Sequence, residues 1–388
     1  MDSMPVSILV MDANQRSALA VTRALGATYP GCKLVTADET TNALAGKSRY
    51  SAQYLQHPSP GSNPKEFLEW VKNSHLERFD LIVPTTEITS QTLLLHLQEL
   101  PDLALPFADI KTIMQLADKG NLVRTAMDIG IPVPESRFFK NADGLSNAQI
   151  NYPVVLKPTQ SRYFINNSWI SASVRILHSK EDLEQALKRD TYLKTQPFML
   201  QQFIEGSGAG LFCLFDQGRP VQYFSHKRLR EKPPEGGVSV LSQAQPVAPQ
   251  LKAISEQLLR KVNWHGVAMV EFRIALDGTP YLMEVNTRFW GSLQLAIDAG
   301  VNFPAQLASV YFKQPVQTVE TYNTDQRLRW LMGDIDSLYI YLKRSHSIAD
   351  KFRRLLAFCT PRFKNQKHEI NRLSDIKPFL EELKQYFS

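Results

Sequence analysis

Apolar and polar residues alternate most regularly between residues 266 and 288, where "GVAMVEFRIALDGTPYLMEVNTR" reads as two strands of period two joined at Asp277-Gly278. Asp-Gly is a strong hairpin signal. With these two residues as the loop, Leu276 faces Thr279, Glu271 falls opposite Glu284, and Asn286 is the diagonal neighbour. One face then pairs Ala268, Val270, Phe272 and Ile274 with Tyr281, Met283, Val285 and Thr287, which suits a core. The other face carries Glu271, Glu284, Asn286 and Arg288. Directly opposed side chains have Cβ atoms about 4.5–5.5 Å apart, where like charges destabilise a sheet. A divalent cation removes the conflict: two carboxylates and an amide carbonyl are hard oxygen donors, suited to Mg²⁺ or Mn²⁺ shared with substrate phosphates. The competing reading is a solvated face on which Arg273 and Arg288 merely neutralise the acids. It leaves the facing glutamates unexplained.

Elsewhere the pattern predicts alternating strands and helices. "VSILVM" (6–11) reads as a strand, followed by a helix that Gly26 caps, a strand at 33–38, a helix at 63–74 and a strand at 80–85. This order implies an open parallel sheet in a Rossmann-like N-terminal domain. Its first turn, "MDANQRS", lacks the glycines of a dinucleotide fingerprint. Asp118 can cap a helix over "KGNLVRTAMDI", which Gly130 closes. "YPVVLKP" and "FMLQQFI" are buried strands, "SASVRIL" a strand, "SKEDLEQALKR" a capped helix, "EGSGAG" a glycine loop, and "SHKRLREKPPEGGVSV" (225–240) a mobile basic loop. This second half is α+β and mostly antiparallel. Beyond residue 315 the pattern is helical.

A chain of 388 residues implies two or three domains. No stretch resembles a secretory signal or a transmembrane span, so a cytoplasmic location is expected. Cys32, Cys213 and Cys359 are odd in number and far apart, which argues against disulfides and a cysteine metal site. The net charge of +6 is concentrated between Lys343 and Lys367, where eight Lys or Arg residues meet one acid, Asp350. The remainder is close to balanced, and no nucleic-acid partner is expected.

Lys157 ends an apolar strand, where it needs an anion, and Lys119 sits in a helical first turn, where the dipole also favours anions. Both also read as ordinary lysines when taken singly. Together with "ADKGNLVRTAMDIGIPVPES", "YPVVLKP", "LQQFIEG", "GVAMVEF" and "YLMEVNTRFWGSLQLAIDAGVNFP", in that order, they resemble the ATP-grasp superfamily over roughly residues 110 to 315. The last segment is similar to the carbamoyl phosphate synthetase and biotin carboxylase versions. The resemblance implies a pre-ATP-grasp Rossmann-like domain (1–112), two ATP-grasp lobes (113–195 and 196–315) and a basic, mostly helical extension (316–388).

It also implies roles. Lys119 and Lys157 would bind the phosphates of ATP, Gln201 the adenine amino group, and the backbone of Gln202, Phe203 and Ile204 the purine edge. Glu271, Glu284 and Asn286 would hold Mg²⁺, and Arg288 would face the acyl phosphate. Two departures stand out. "PTQSRYFINNSWISAS" lacks the glycines of the usual phosphate-covering loop, and only glycines occur where an acid often grips the ribose, leaving Glu205 as the substitute. In the 225–240 segment Lys227, with Arg228 and Arg230, is the candidate contact to the second substrate or to a tetrahedral intermediate.

The implied activity is an ATP-dependent ligase that activates a small-molecule carboxylate as an acyl phosphate and passes it to an amine, or to a thiol. The alternatives are a bicarbonate-activating carboxylase and a nucleotide-binding module without turnover. Oligomeric state is open, a homodimer included. Within 343–367, Phe352, Leu355 and Leu356 share a helical face expected to pack on the catalytic domain, the alternatives being contact with an anionic membrane surface or an acidic partner protein.

Overall fold

The structure, a computed structural model, describes residues 7–145, 148–165, 168–234, 236–360, 362 and 364–388. The first apolar run forms β1 (Ser7–Val10), followed by α1 (Arg16–Thr28), β2 (Lys33–Asp38), β3 (Gln53–Gln56), α2 (Pro64–Asn73), β4 (Leu81–Val83) and α3 (Glu87–Leu95). The four strands are parallel in the order β3-β2-β1-β4. Period two splits β1 between two cores, Ile8 and Val10 entering one, Leu9 the other. Gly26 does not cap α1; the helix runs on to Thr28. A Cβ at Gly26 would lie 2.6 Å from Tyr50, so the glycine permits close packing rather than ending the helix.

Helices α4 (Ile110–Ala117) and α5 (Lys119–Asp128) each start at an aspartate: Asp109 accepts from the Thr112 amide and Asp118 from the Asn121 amide. Next come β5 (Ser136–Phe139), β6 (Val154–Pro158), β7 (Arg162–Ile165), β8 (Ser168–Ser171), β9 (Arg175–Leu177), α6 (Lys180–Arg189) and β10 (Phe198–Gln202). They build an antiparallel sheet, β5-β10-β6-β9, and a separate β7-β8 ribbon. "SASVRIL" is therefore divided between the end of β8 and β9. The ribbon occupies the stretch without glycines; Asn166 and Asn167 lie outside the described residues.

The larger layer contains β11 (Gly206–Asp216), β12 (Arg219–Lys232), β13 (Val238–Gln245), α7 (Pro249–Lys261), β14 (Gly266–Ala275), β15 (Pro280–Asn286), α8 (Leu293–Ala299) and α9 (Phe303–Tyr311). Two expectations are corrected. The glycines of "EGSGAG" open β11, with Gly206 paired to Ala275. The basic segment 225–240 is strand on both sides of a turn, not a mobile loop. Its cations are held extended by acids from far along the chain: Arg230 reaches Asp334 at 2.5 Å, Lys232 bonds Asp336, and Arg228 reaches Glu271 at 3.1 Å.

The last segment adds β16 (Arg327–Arg329), α10 (Leu331–Lys343), α11 (Ile348–Cys359), β17 (Gln366–His368) and α12 (Lys377–Phe387). Both strands extend the larger sheet, whose order is β15-β14-β11-β12-β13-β16-β17. The chain then returns to the N-terminal sheet, where Arg23 donates to Asp375 and to the carbonyls of Glu369 and Ile370 at 2.8 Å each. The expected packing of α11 is not observed: Phe352 is 60% exposed, Leu356 52% and Leu355 40%. The helix instead turns half-buried Arg354 and Phe358 inward, Arg354 to Ser337 and Phe358 beneath Arg329. Pro361 lies outside the described residues.

Gly206 has φ +152°, and a Cβ there would lie 1.9 Å from the Ile274 carbonyl oxygen. Gly206→Ala should therefore lower stability by about 2 kcal/mol or more in denaturant titrations. Gly130→Ala, with φ +72° but open space around it, should cost less.

Candidate active site

The β14-β15 hairpin places the facing glutamates by two departures that cancel. Its loop is three residues, not two: the Ala275 amide donates to Thr279, the Gly278 amide donates to Ala275, and Gly278 takes φ +87°. Near the turn the register is shifted by one, so that Ile274 faces Pro280, Arg273 faces Tyr281 and Phe272 faces Leu282. A bulge at Met283 removes the shift, and Glu271 faces Glu284, Val270 faces Val285 and Met269 faces Asn286. The core therefore receives Leu282 beside Phe272, in place of the expected Tyr281 and Met283. The Met283 carbonyl accepts the Lys157 ammonium at 2.7 Å.

Around this pair the smaller sheet and α5 bring cations. Lys119 lies 3.7 Å from Glu284 and donates to the Ser161 hydroxyl at 3.0 Å. Both lysines are buried. Burial pulls the Lys157 ammonium down to about 8, opposed by Glu284 and aided by Lys119. Burial and the neighbouring Glu284 raise Glu271, against Arg228. For Glu284 burial acts upward but is outweighed by Lys119 and Lys157, which hold it below the usual range. The pair is thus divided, with the negative charge favoured on Glu284.

Asn286 donates to Glu271 at 3.0 Å, and Arg288 donates to the Phe289 carbonyl at 2.9 Å and to Asn286 at 3.5 Å. Among the described residues no three His, Cys, Asp or Glu side chains form a metal cluster. The donor set here is instead two carboxylates and an amide. It fits a divalent cation by its chemistry: hard oxygens, and like charges that need a counterion.

Lys119, Lys157, Glu271, Glu284, Asn286 and Arg288 thus converge. Gln201 lies on β10, buried, donating to Ser136 at 2.9 Å while its Oε1 is buried without a partner. Gln202 and Glu205 are exposed beside half-buried Phe203, and the Ile204 carbonyl accepts from Arg273 at 3.2 Å. Lys227 does not join the cluster. Strand alternation turns it to the other face of β12, exposed, while its neighbours His226 and Arg228 line the cleft.

A cavity of about 730 Å³ opens in front of the cluster, lined by Glu284, Asn286, Arg288 and Ser161 and, from the carboxyl ends of the four parallel strands, by Asp12, Asp38, His57 and Thr85. A second, of about 310 Å³, shares Glu284, Asn286 and Arg288 and adds Glu271, His226 and Arg228. Burial pushes His226 down to about 3, so it stays neutral, bonded to Ser292 at 2.9 Å. Arg16 lines both cavities, held at 2.6 Å by Glu369 and stacked 3.9 Å from the Trp330 ring. The sequence reading missed Arg16 and did not put Arg228 at Glu271. Ligands of open parallel sheets bind outside the carboxyl ends of the strands, a rule that would have pointed to Asp12–Arg16.

A seven-stranded, mostly antiparallel sheet faces a smaller four-stranded one across this cleft, and over part of its length the chain matches an ATP-grasp family model. The family model described as "ATP-grasp in the biosynthetic pathway with Ter operon" matches residues 194–333. A D-alanine–D-alanine ligase from Aquifex aeolicus (strain VF5) is 26% identical over 194 residues, a stretch covering 48% of this chain and 64% of that protein. The match thus spans less than two thirds of that relative. Among solved structures, the fold is similar to a biotin carboxylase from Campylobacter jejuni (TM-score 0.64, 15% identity, 83% of this chain and 74% of that one). It is also similar to an L-amino acid ligase from Bacillus licheniformis (TM-score 0.59, 17% identity, 80% and 75%). Among the described residues no helix is long and apolar enough to cross a membrane.

Lys157 holds its proton only below about 8 in the free protein; with ATP as substrate and Lys157 at its phosphates, kcat/KM should be level below that pH and fall above it. Lys157→Arg, which keeps its charge, should lose this basic limb even at a reduced rate. A limb unchanged in the arginine variant would remove Lys157 from the phosphate site.

Proposed function

We propose that the protein is an ATP-dependent ligase that activates a carboxylate as an acyl phosphate and transfers the acyl group to an amine, a thiol being the less favoured acceptor. The observation that carries this reading is the convergence of Lys119, Lys157 and Arg288 on the facing Glu271 and Glu284, at the mouth of a cavity with room for two further reactants. A module that only bound a nucleotide would have no use for the whole set. The domains proposed are 1–112, 113–195, 196–315 and 316–388, with ATP between the second and third and the other substrates reaching toward the first.

Lys119 and Lys157 take the phosphate oxygens, and Gln201 offers its unpartnered Oε1 to the adenine amino group. Gln202, Phe203 and Ile204 run along the purine edge, and Glu205 is placed to meet the ribose. Mg²⁺, held by Glu271, Glu284 and Asn286, would neutralise charge on the transferring phosphate. Arg228, 3.1 Å from Glu271, stands beside this donor set and faces the same cleft. Arg288 stabilises the carboxylate that attacks in line, and catalysis rests on position and electrostatics more than on proton transfer. The Lys227 role passes to Arg228, which faces the cleft. Family-level likeness to ligases supports this reading.

Glu284→Gln should abolish Mg²⁺-dependent ATP turnover while circular dichroism and thermal unfolding show a retained fold; equal kcat in mutant and wild type would discard the metal assignment. With ATP and a pool of carboxylates, hydroxylamine should trap a hydroxamate. ADP formation that requires bicarbonate and gives no hydroxamate would establish a carboxylase instead.

A further inference from the structure

Helix α11 presents to solvent the face that its sequence would bury. At 100° per residue, Ile348, Phe352, Leu355, Leu356 and Cys359 fall within an arc of roughly 100°. Their exposure is real in the folded chain: Ile348 is 88% exposed and Phe352 60%. The opposite side is already used, by Arg354 against Ser337 and by Phe358 beneath Arg329. The apolar arc therefore cannot turn inward without breaking those contacts. Its start is fixed too, because the Ser347 hydroxyl caps the helix at the Asp350 amide.

Most of the charges around this arc are positive. Lys343 and Arg344 precede the helix, Arg353 lies beside the arc, and Arg362 and Lys364 follow, all exposed, with Lys367 beyond them already 3.7 Å from Asp298. Asp350, the acid within 343–367, is committed to Arg353 at 3.2 Å. Cations thus stand at both ends of an apolar strip about 18 Å long. We propose that α11 and its flanks bind an anionic lipid surface, with Ile348, Phe352, Leu355 and Leu356 entering the headgroup boundary and the flanking cations meeting lipid phosphates.

Charge complementarity selects this occupant. A second copy of the chain docked through the same face would bring like-charged flanks together, an arrangement that costs energy in any two-fold interface. The apolar strip is the convex side of one helix, the shape that lies in a bilayer interface. This inference is independent of the reaction proposed above.

The test is flotation of the full chain with vesicles of phosphatidylglycerol and phosphatidylcholine, and with phosphatidylcholine alone, at low and physiological salt, alongside light scattering of the free protein. Binding to the anionic vesicles should persist in part at physiological salt and be weak on neutral ones. The double variant Phe352→Ser, Leu356→Ser should reduce it about tenfold or more, with thermal unfolding and ATP hydrolysis unchanged. Arg362→Glu with Lys364→Glu should remove mainly the salt-sensitive part. No binding at low salt, equal binding to neutral vesicles, or binding indifferent to the serine variants would overturn the proposal. So would a dimer that the serine variants dissociate, which would assign the face to a second copy.

Discussion

Glu271 and Glu284 face each other across two strands, and a sheet tolerates that only where other charges hold the pair. Lys119 and Lys157 approach from the smaller layer, and Arg228 from the neighbouring hairpin. The arrangement ties the two layers together at one point, since neither can move far from the other without leaving a carboxylate or an ammonium uncompensated in a partly buried cleft. The Met283 bulge is the local device behind it. It restores the register lost in the hairpin loop and offers the carbonyl that fixes Lys157. The site and the joint between the layers are thus made of the same few residues.

The charges also explain why the basic hairpin is held as extended strand. Arg230 and Arg329 meet on Asp334, which is fully buried, with Arg354 3.7 Å away. Removing one partner of a buried pair typically costs about 3–5 kcal/mol, so these residues bind β12 firmly to the C-terminal segment. Arg228, two residues from Arg230, is held over Glu271 by the same strand. The C-terminal segment reaches the cleft a second way, through Glu369, which holds Arg16, and Asp375, which holds Arg23, Ser48 and the Arg49 amide. It therefore acts as a strap joining the N-terminal sheet to the larger one, and the exposed face of α11 is what remains of it on the outside.

Much of the local structure was legible. Short apolar runs marked β1, β6 and β10, alternation marked the β14-β15 hairpin, and the aspartate and serine caps marked the starts of α5 and α6, because these follow from neighbours a few residues apart. The facing of Glu271 and Glu284 was also read, although through a two-residue loop that the chain does not form; the true loop and the bulge shift the register by one in opposite senses. Gly26 misled because a glycine required by a close approach to Tyr50 looks the same in sequence as one that ends a helix.

The sequence by itself determined which residues can form strands and helices, and which side chains carry the charge and the oxygen donors of the cleft. Tertiary structure alone decided which of them meet. It paired Arg230 with Asp334 and Arg16 with Glu369, contacts separated by 104 and 353 residues. It turned Lys227 away while bringing Arg228 to Glu271, and left the apolar arc of α11 facing outward. The physical reason is range: periodicity and capping act over one or two turns of chain, whereas ion pairing and burial depend on which distant surfaces the folded layers bring together.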